Sequence, residues 1–358
     1  MNRFIKLVFA FLVSCIMVWF CIVLITDQVS VRQSVTDSID RCMNVVIPSL
    51  FAFMTLSVII TSSGTYCIIS KPLFWFSYIT GIPKDLLSIF IISNIAGYPV
   101  GAKLICGLID NGQIDKDTAK TLLCFCYGAG PAFICSVAGL ALFGSIRVGM
   151  LIFISCALSN LMLACILCRL KKPKVQLLNK KFCINAQIMC DSVLSAGKSL
   201  FGICMLIVFF SVVMTVLENC GIIDHIASII PVSDSKSFVR ALLEISELMQ
   251  ITKAPFAYIP IISAICSFGG VCVILQVSSV VGGRFGIGRF LLFRPVAAVL
   301  SAANSYWLAT VMLPDNLAAV SSDRQIFVKV NNFIPSVCLI LMIFLLKIKK
   351  RVAFSSQL

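Results

Sequence analysis

The sequence predicts an all-α polytopic membrane protein, built from two inverted repeats with re-entrant hairpins. Three observations predict it. The 358 residues are 59% hydrophobic and only 12% charged, with a mean hydropathy of +1.04, whereas soluble domains carry about 25% charged residues. Several runs reach the roughly 20 apolar residues that span a bilayer. The apolar stretch 93–131 is also broken twice, at Gly97-Tyr98-Pro99 and at Gly128-Ala129-Gly130-Pro131, with Lys103 between the breaks. In a bilayer core, irregular backbone survives only where protein buries it or where it lines a wet cavity.

The net charge of +14 does not point to nucleic acid, because the basic residues gather on one predicted side, as the positive-inside bias requires. The 18 cysteines lie mostly inside apolar runs (Cys15, Cys21, Cys156, Cys165, Cys204, Cys338), where they act as small hydrophobes. No Cys-x-x-Cys pair with partner ligands occurs, so neither a disulfide framework nor a zinc site is expected, and the free thiols suit a reducing setting.

Taken in order, residues 1–44 hold a first transmembrane helix and an amphipathic linker. Arg3 and Lys6 precede an apolar run that ends at Thr26, too long for a signal peptide and without a clear cleavage site. The first repeat covers residues 45–170. It begins with a span at 45–62, followed by an interfacial segment at 66–80 with five aromatic residues and Lys71. Residues 86–109 then read as a re-entrant hairpin, because Pro99 removes a donor and disfavours helix just before it. A broken span at 118–143 and a return span at 148–170 complete the repeat.

Residues 171–198 form a basic cytoplasmic linker (Lys171, Lys172, Lys174, Lys180, Lys181). The second repeat, 199–313, echoes the first in order: Ser49-Leu50-Phe51 in Ser199-Leu200-Phe201, Ser93-Asn94 in Ser246-Glu247, and Gly128-Ala129-Gly130 in Phe268-Gly269-Gly270. It starts on the opposite side of the bilayer, so the copies are inverted, the arrangement associated with alternating access. Residues 314–358 supply a last span and a basic tail ending in Lys347, Lys349, Lys350 and Arg351. The expectation is eight spans plus two hairpins.

The motif Gly97-Tyr98-Pro99-Val100-Gly101-Ala102-Lys103, followed by Gly128-Ala129-Gly130-Pro131, Ser267-Phe268-Gly269-Gly270 and Gln276, resembles the YlbJ family of sporulation integral membrane proteins, within the nucleoside-recognition Gate group. The likeness covers about residues 40 to 345. The chain departs from the family after the second-hairpin glutamate, where Glu247-Leu248 stands in place of an Asn-Gly pair. The resemblance implies a layout similar to concentrative nucleoside transporters. It also implies transport of dipicolinate from mother cell to forespore across the outer forespore membrane of a bacterium.

The candidate substrate-binding residues are Ser93, Asn94, Gly97, Gly101, Lys103, Gly128, Gly130, Glu244, Ser246, Glu247, Gly269, Gly270 and Gln276. A lysine at bilayer depth costs roughly 2.5 to 3.5 kcal/mol, so Lys103 is expected to attract a substrate carboxylate, unless it snorkels to the interface. Glu244 and Glu247, three residues apart, share a helix face. They are read as carriers of a coupling proton or cation, or as partners of Arg240 or Lys253. Ser93, Asn94 and Ser246 offer neutral hydrogen-bonding groups at half-helix ends that favour an anion; the plainer reading is polar packing between helices. The glycines either open backbone to substrate or let helices cross closely. With one histidine, His225, and no nucleophile–base–orienter set, an enzyme is not expected, nor is a cofactor or a resident metal. The partners expected are a small organic anion and the lipid bilayer. A non-transporting scaffold for spore envelope assembly and a nucleoside-type transporter are the rival readings.

Overall fold

A computed structural model describes residues 3–173, 183–230, 234–251 and 254–312. The basic segment around Lys180 and the predicted last span and tail lie outside the described residues. Among the described residues every regular element is helical, and there is no strand.

Among the described residues four helices are long and apolar enough to cross a membrane, or up to six if each bent pair is one span. The first, α1 (Arg3–Thr26), is apolar on all sides and leaves its spanning window unburied by protein. Such a helix is at home in lipid, where backbone is satisfied within the helix and the side chains need no core. Its successor α2 (Gln28–Arg41) packs on the third of these long helices, Ala186–Asn219, through Ser34 and Ser38, which both bond Ser211. A π-helical turn, Cys42–Val46, leads into α3 (Ile47–Ser63), which ends at Gly64 in the left-handed conformation. Two short helices, α4 (Thr65–Ser70) and α5 (Phe74–Thr80), expose Phe74, Trp75 and Tyr78, as aromatic residues at a membrane interface do.

Residues 87–110 fold as two helices joined by a sharp turn. Helix α6 (Leu87–Ala96) and helix α7 (Tyr98–Asp110) meet at Gly97, whose φ of 104° is open to glycine and hardly to other residues. A Cβ placed on Gly101 would lie 2.9 Å from Ser93 Cβ. Eight residues along an unbroken helix are about 12 Å apart, so the chain doubles back at Gly97. Asp115 then caps α8 (Lys116–Leu123) by accepting the Thr118 N–H, and hydrogen bonding from the Thr118 side chain, aided by this backbone bond, holds its carboxyl below the usual range. Residues 124–130 are non-helical and almost wholly buried up to Ala129. Pro131 restarts the chain as α9 (Pro131–Phe133), continuous with a π-helical stretch, Ile134–Ala141.

Two long helices follow, α10 (Ile146–Lys171) and α11 (Ala186–Asn219). Helix α11 runs unbroken through the expected linker boundary at residues 198–199, and it packs on both α2 and α3. Helices α12 (Ile222–Ile229) and α13 (Ser235–Leu243) close a small satellite core around Met214, Ile223 and Val239. The chain then leaves helix at Glu244 and turns through a 3-10 segment, Ile245–Gln250, that folds back on α13.

Helices α14 (Ile259–Phe268) and α15 (Gly270–Val281) form one span broken at Gly269, and α16 (Gly288–Met312) follows. Helices α10, α14 and α16 pack as a trio held by small polar groups. Ser263 bonds Ser301, and Ser159 donates to the Ala297 carbonyl at 2.7 Å. Short hydroxyl side chains serve here because membrane helices associate by close packing and hydrogen bonds rather than by a hydrophobic drive. The expected eight spans differ from this count because several are split by breaks, and the last lies outside the described residues.

Candidate functional site

The broken backbone is not left open. It is satisfied residue by residue. A helix end leaves four carbonyls without intrahelical partners, and at the end of α14 each has one. The Gly269 N–H takes Ile265 O, Tyr98 Oη donates to Cys266 O at 2.5 Å, Arg294 Nη1 to Ser267 O at 3.4 Å, and Tyr127 Oη to Phe268 O at 3.0 Å. The unwound stretch after α8 is served in the same way. Arg294 Nη2 donates to Cys124 O, Asn94 Nδ2 to Phe125 O and Asn160 Nδ2 to Tyr127 O.

Arg294 is therefore the centre of this region. It is fully buried and lies over the Tyr127 and Phe290 rings at 4.7 and 5.2 Å. It takes part in no ion pair among the described residues. Two helix C-termini and two aromatic faces stand in for a carboxylate, each being a site of partial negative charge. Sequence reasoning passed over Arg294, Asn160, Tyr98 and Tyr127. The signal for Arg294 was a lone cation inside an apolar run, the feature that singled out Lys103.

The glycines allow these approaches. A Cβ on Gly269 would overlap Tyr127 Oη, and one on Gly101 would overlap the Cys126 carbonyl. Gly128 lies between Asn94 and Asn160, and Gly270 faces the last carbonyls of α13. Both turn regions thus converge on the α14–α15 break.

Beside it lies a cavity of about 110 Å³, lined by Gly97, Tyr98 and Pro99 at the first turn and by Glu244, Ile245 and Ser246 at the second. Arg41, Gly130 and Gln276 join the lining, and the remainder is apolar. A water needs about 10–15 Å³ by this measure, so the space accepts a small solute. Residues on this lining contribute three buried polar atoms without hydrogen-bond partners among the described residues: Arg41 Nε, Glu244 Oε2 and Ser246 Oγ. Helix α7 also points its N-terminus here, adding partial positive charge.

The two glutamates diverge, because the chain leaves helix at Glu244 (φ −140°, ψ 115°). Glu244 borders the cavity. Glu247 accepts Arg41 Nη1 at 2.8 Å and Arg240 Nη2 at 2.6 Å, and Arg240 also holds Glu218. This ion-pair cluster borders a second, more polar cavity of about 510 Å³, and Arg41 lines both spaces.

Of the sequence-predicted residues, Gly97, Gly130, Glu244, Ser246 and Gln276 line the first cavity. Ser93, Asn94, Gly101 and Gly128 pack behind it, around the unwound stretch. Lys103 lies outside the lining, with Nζ donating to Ser195 Oγ at 3.0 Å and Ser199 Oγ at 2.9 Å on α11. No family model, no curated protein and no solved structure matches the chain.

Proposed function

We propose that the protein is a secondary transporter of a small organic anion, working by alternating access around the cavity between the two turns. The observation that carries this reading is the set of unpartnered buried atoms on Arg41, Glu244 and Ser246. Each unmade hydrogen bond costs about 1–3 kcal/mol, a cost that a passing solute removes and a static scaffold would have no reason to carry. The guanidinium of Arg41, the Ser246 hydroxyl and the N-terminus of α7 favour a carboxylate.

Dipicolinate is the substrate this reading takes, moved from mother cell to forespore during sporulation; the support is the sequence resemblance and the anion-attracting groups. The inverted repeat supplies the mechanism, with the two halves rocking about the cavity. A second reading, a nucleoside-type solute, draws on Glu244 and Gln276, which together offer acceptors and donors to a neutral ring.

The deciding experiment is uptake of labelled dipicolinate into proteoliposomes, with counterflow against excess unlabelled dipicolinate. Saturable uptake competed by dicarboxylates supports the anion reading. Competition by nucleosides alone would move the assignment to the second reading. Vesicles no better than protein-free ones would remove both.

A further inference from the structure

We infer that Glu244 is the proton-coupling site of the cavity: it takes up one proton together with the anion and releases it on the other side. The inference rests on the transporter reading above and adds the ion that drives it.

Glu244 is 4% exposed. One oxygen, Oε1, accepts the Ser246 N–H at 3.3 Å, while Oε2 is buried and has no donor at ordinary hydrogen-bond geometry among the described residues, the Cys272 thiol and Ser246 hydroxyl being the weak neutral groups that interact with the carboxyl. No lysine or arginine among the described residues pairs with it, although Glu218 and Glu247 nearby are both paired. A buried carboxylate without a counter-ion is costly, and one proton abolishes the charge.

Six titratable or charged groups lie within electrostatic reach of Glu244 or on the same lining. They are Arg41, Cys42, Tyr98, Tyr127, Glu247 and Cys272. Arg41 is the one cation among them, and its Nη1 is committed to Glu247. The Cys272 thiol is a weak donor and does not replace a counter-ion.

A metal cation fits the place poorly. No group of three or more His, Cys, Asp or Glu among the described residues converges anywhere as a metal cluster, and hard cations take about six or more oxygens. A proton needs one lone pair. On loading, one O–H bond forms at Oε2; on release the same bond breaks, and no electron moves.

Coupling follows from charge. Ionised Glu244 and an anion repel in a poorly screened cavity, whereas the neutral acid turns Oε2 into a donor for the anion's carboxylate. Proton and anion therefore each raise the other's affinity, and linkage makes the effect reciprocal.

The test uses the full chain in proteoliposomes, with dipicolinate as probe. In the wild type, an acidic exterior should drive accumulation, and half-saturation in counterflow should fall by about tenfold for a coupling of 1.4 kcal/mol between alkaline and acidic pH. Glu244→Gln mimics the neutral acid, so its half-saturation should no longer move with pH and gradient-driven accumulation should vanish. Glu244→Asp should restore coupling, which separates loss of the proton from loss of fold. Gradient-driven accumulation by Glu244→Gln at the wild-type level overturns the inference, as does wild-type counterflow indifferent to pH. If the wild type shows no dipicolinate counterflow, the substrate reading fails first. The proton site is then judged by infrared difference spectra of the purified protein. A protonated-carboxyl band that titrates in the wild type and is missing in Glu244→Gln sustains it; its absence from the wild type overturns it.

Discussion

Arg41 Nη1 donates to Glu247 Oε1 at 2.8 Å, and Arg41 lines both the small apolar cavity and the larger polar one. The same carboxylate holds Arg240 through its other oxygen. One buried glutamate thus keeps two cations in place where the two spaces meet.

Glu247→Ala should leave Arg41 without its carboxylate and Arg240 with Glu218 alone. Breaking a fully buried pair costs roughly 3–5 kcal/mol. The arginine side chains here keep 27% and 20% of their surface exposed, so screening reduces the loss to about 1–3 kcal/mol. Thermal unfolding in detergent measures it. Glu247→Gln should recover part of the stability, since an amide oxygen still accepts one N–H bond. Equal stability of Ala and wild type would mean that the cluster holds nothing together.

Gly269 has φ +88°, and Tyr127 Oη occupies the space a Cβ would need. Gly269→Ala should therefore cost about 1–3 kcal/mol in backbone strain, with displacement of the Tyr127 hydroxyl from Phe268 O in addition. Tyr127→Phe in the same chain should remove the overlap with the hydroxyl, leaving the ring Cζ at 2.9 Å and the backbone term in place. The double variant should then be more stable than the sum of the two single changes, as judged by a double-mutant cycle. Strict additivity would show that the tyrosine is not what forbids a side chain at position 269.

Much of this region could be read in the sequence, for physical reasons that differ by residue. Gly97 and Pro99 announced their turn because a free φ and a missing donor are local properties of the chain. Glu244 stood out because a charge in an apolar context needs a partner or a cavity wherever it sits. Arg294 carried the same kind of signal, yet what it does depends on Cys124 and Ser267, which lie 170 and 27 residues away. Its partners are backbone carbonyls, and no residue type marks those. Asn160 is hidden for the same reason, since its bonds go to Tyr127 O and Asn94 Oδ1. The separate fates of Glu244 and Glu247 turn on a single non-helical residue, and three-residue spacing alone cannot show that break.

Lys103 offers a direct contest between two roles. Its Nζ is shared between Ser195 and Ser199, so its visible work is to tie α7 to α11. Lys103→Ala should lower stability by about 1 kcal/mol and leave half-saturation for dipicolinate within about twofold, equivalent to less than 0.5 kcal/mol. Ser195→Ala with Ser199→Ala should reproduce the stability loss without touching the charge. A rise in half-saturation of about tenfold or more, or 1.4 kcal/mol, would instead place the ammonium against the substrate during transport.

Arg294 should be the residue least tolerant of change. Its guanidinium bridges the end of α14 and the unwound stretch after α8, and its flat face covers two aromatic rings. Arg294→Met keeps much of the volume but orphans Cys124 O and Ser267 O; at about 1–3 kcal/mol per unsatisfied carbonyl, the loss is roughly 2–6 kcal/mol. Arg294→Ala should be worse, because a cavity is added. Arg294→Lys retains charge, but a single ammonium lacks the planar fork that reaches two acceptors and stacks on rings, so it should fall between wild type and Met. Thermal unfolding of the detergent-purified variants gives the order, and proteoliposome uptake by the Lys variant supplies a second readout. If Arg294 only holds the two broken helices together, stability and uptake should fall in step across the series. A Met variant as stable as wild type but inactive in uptake would show that the guanidinium meets the substrate, and the bridge between the helix ends would then be a resting contact that transport breaks.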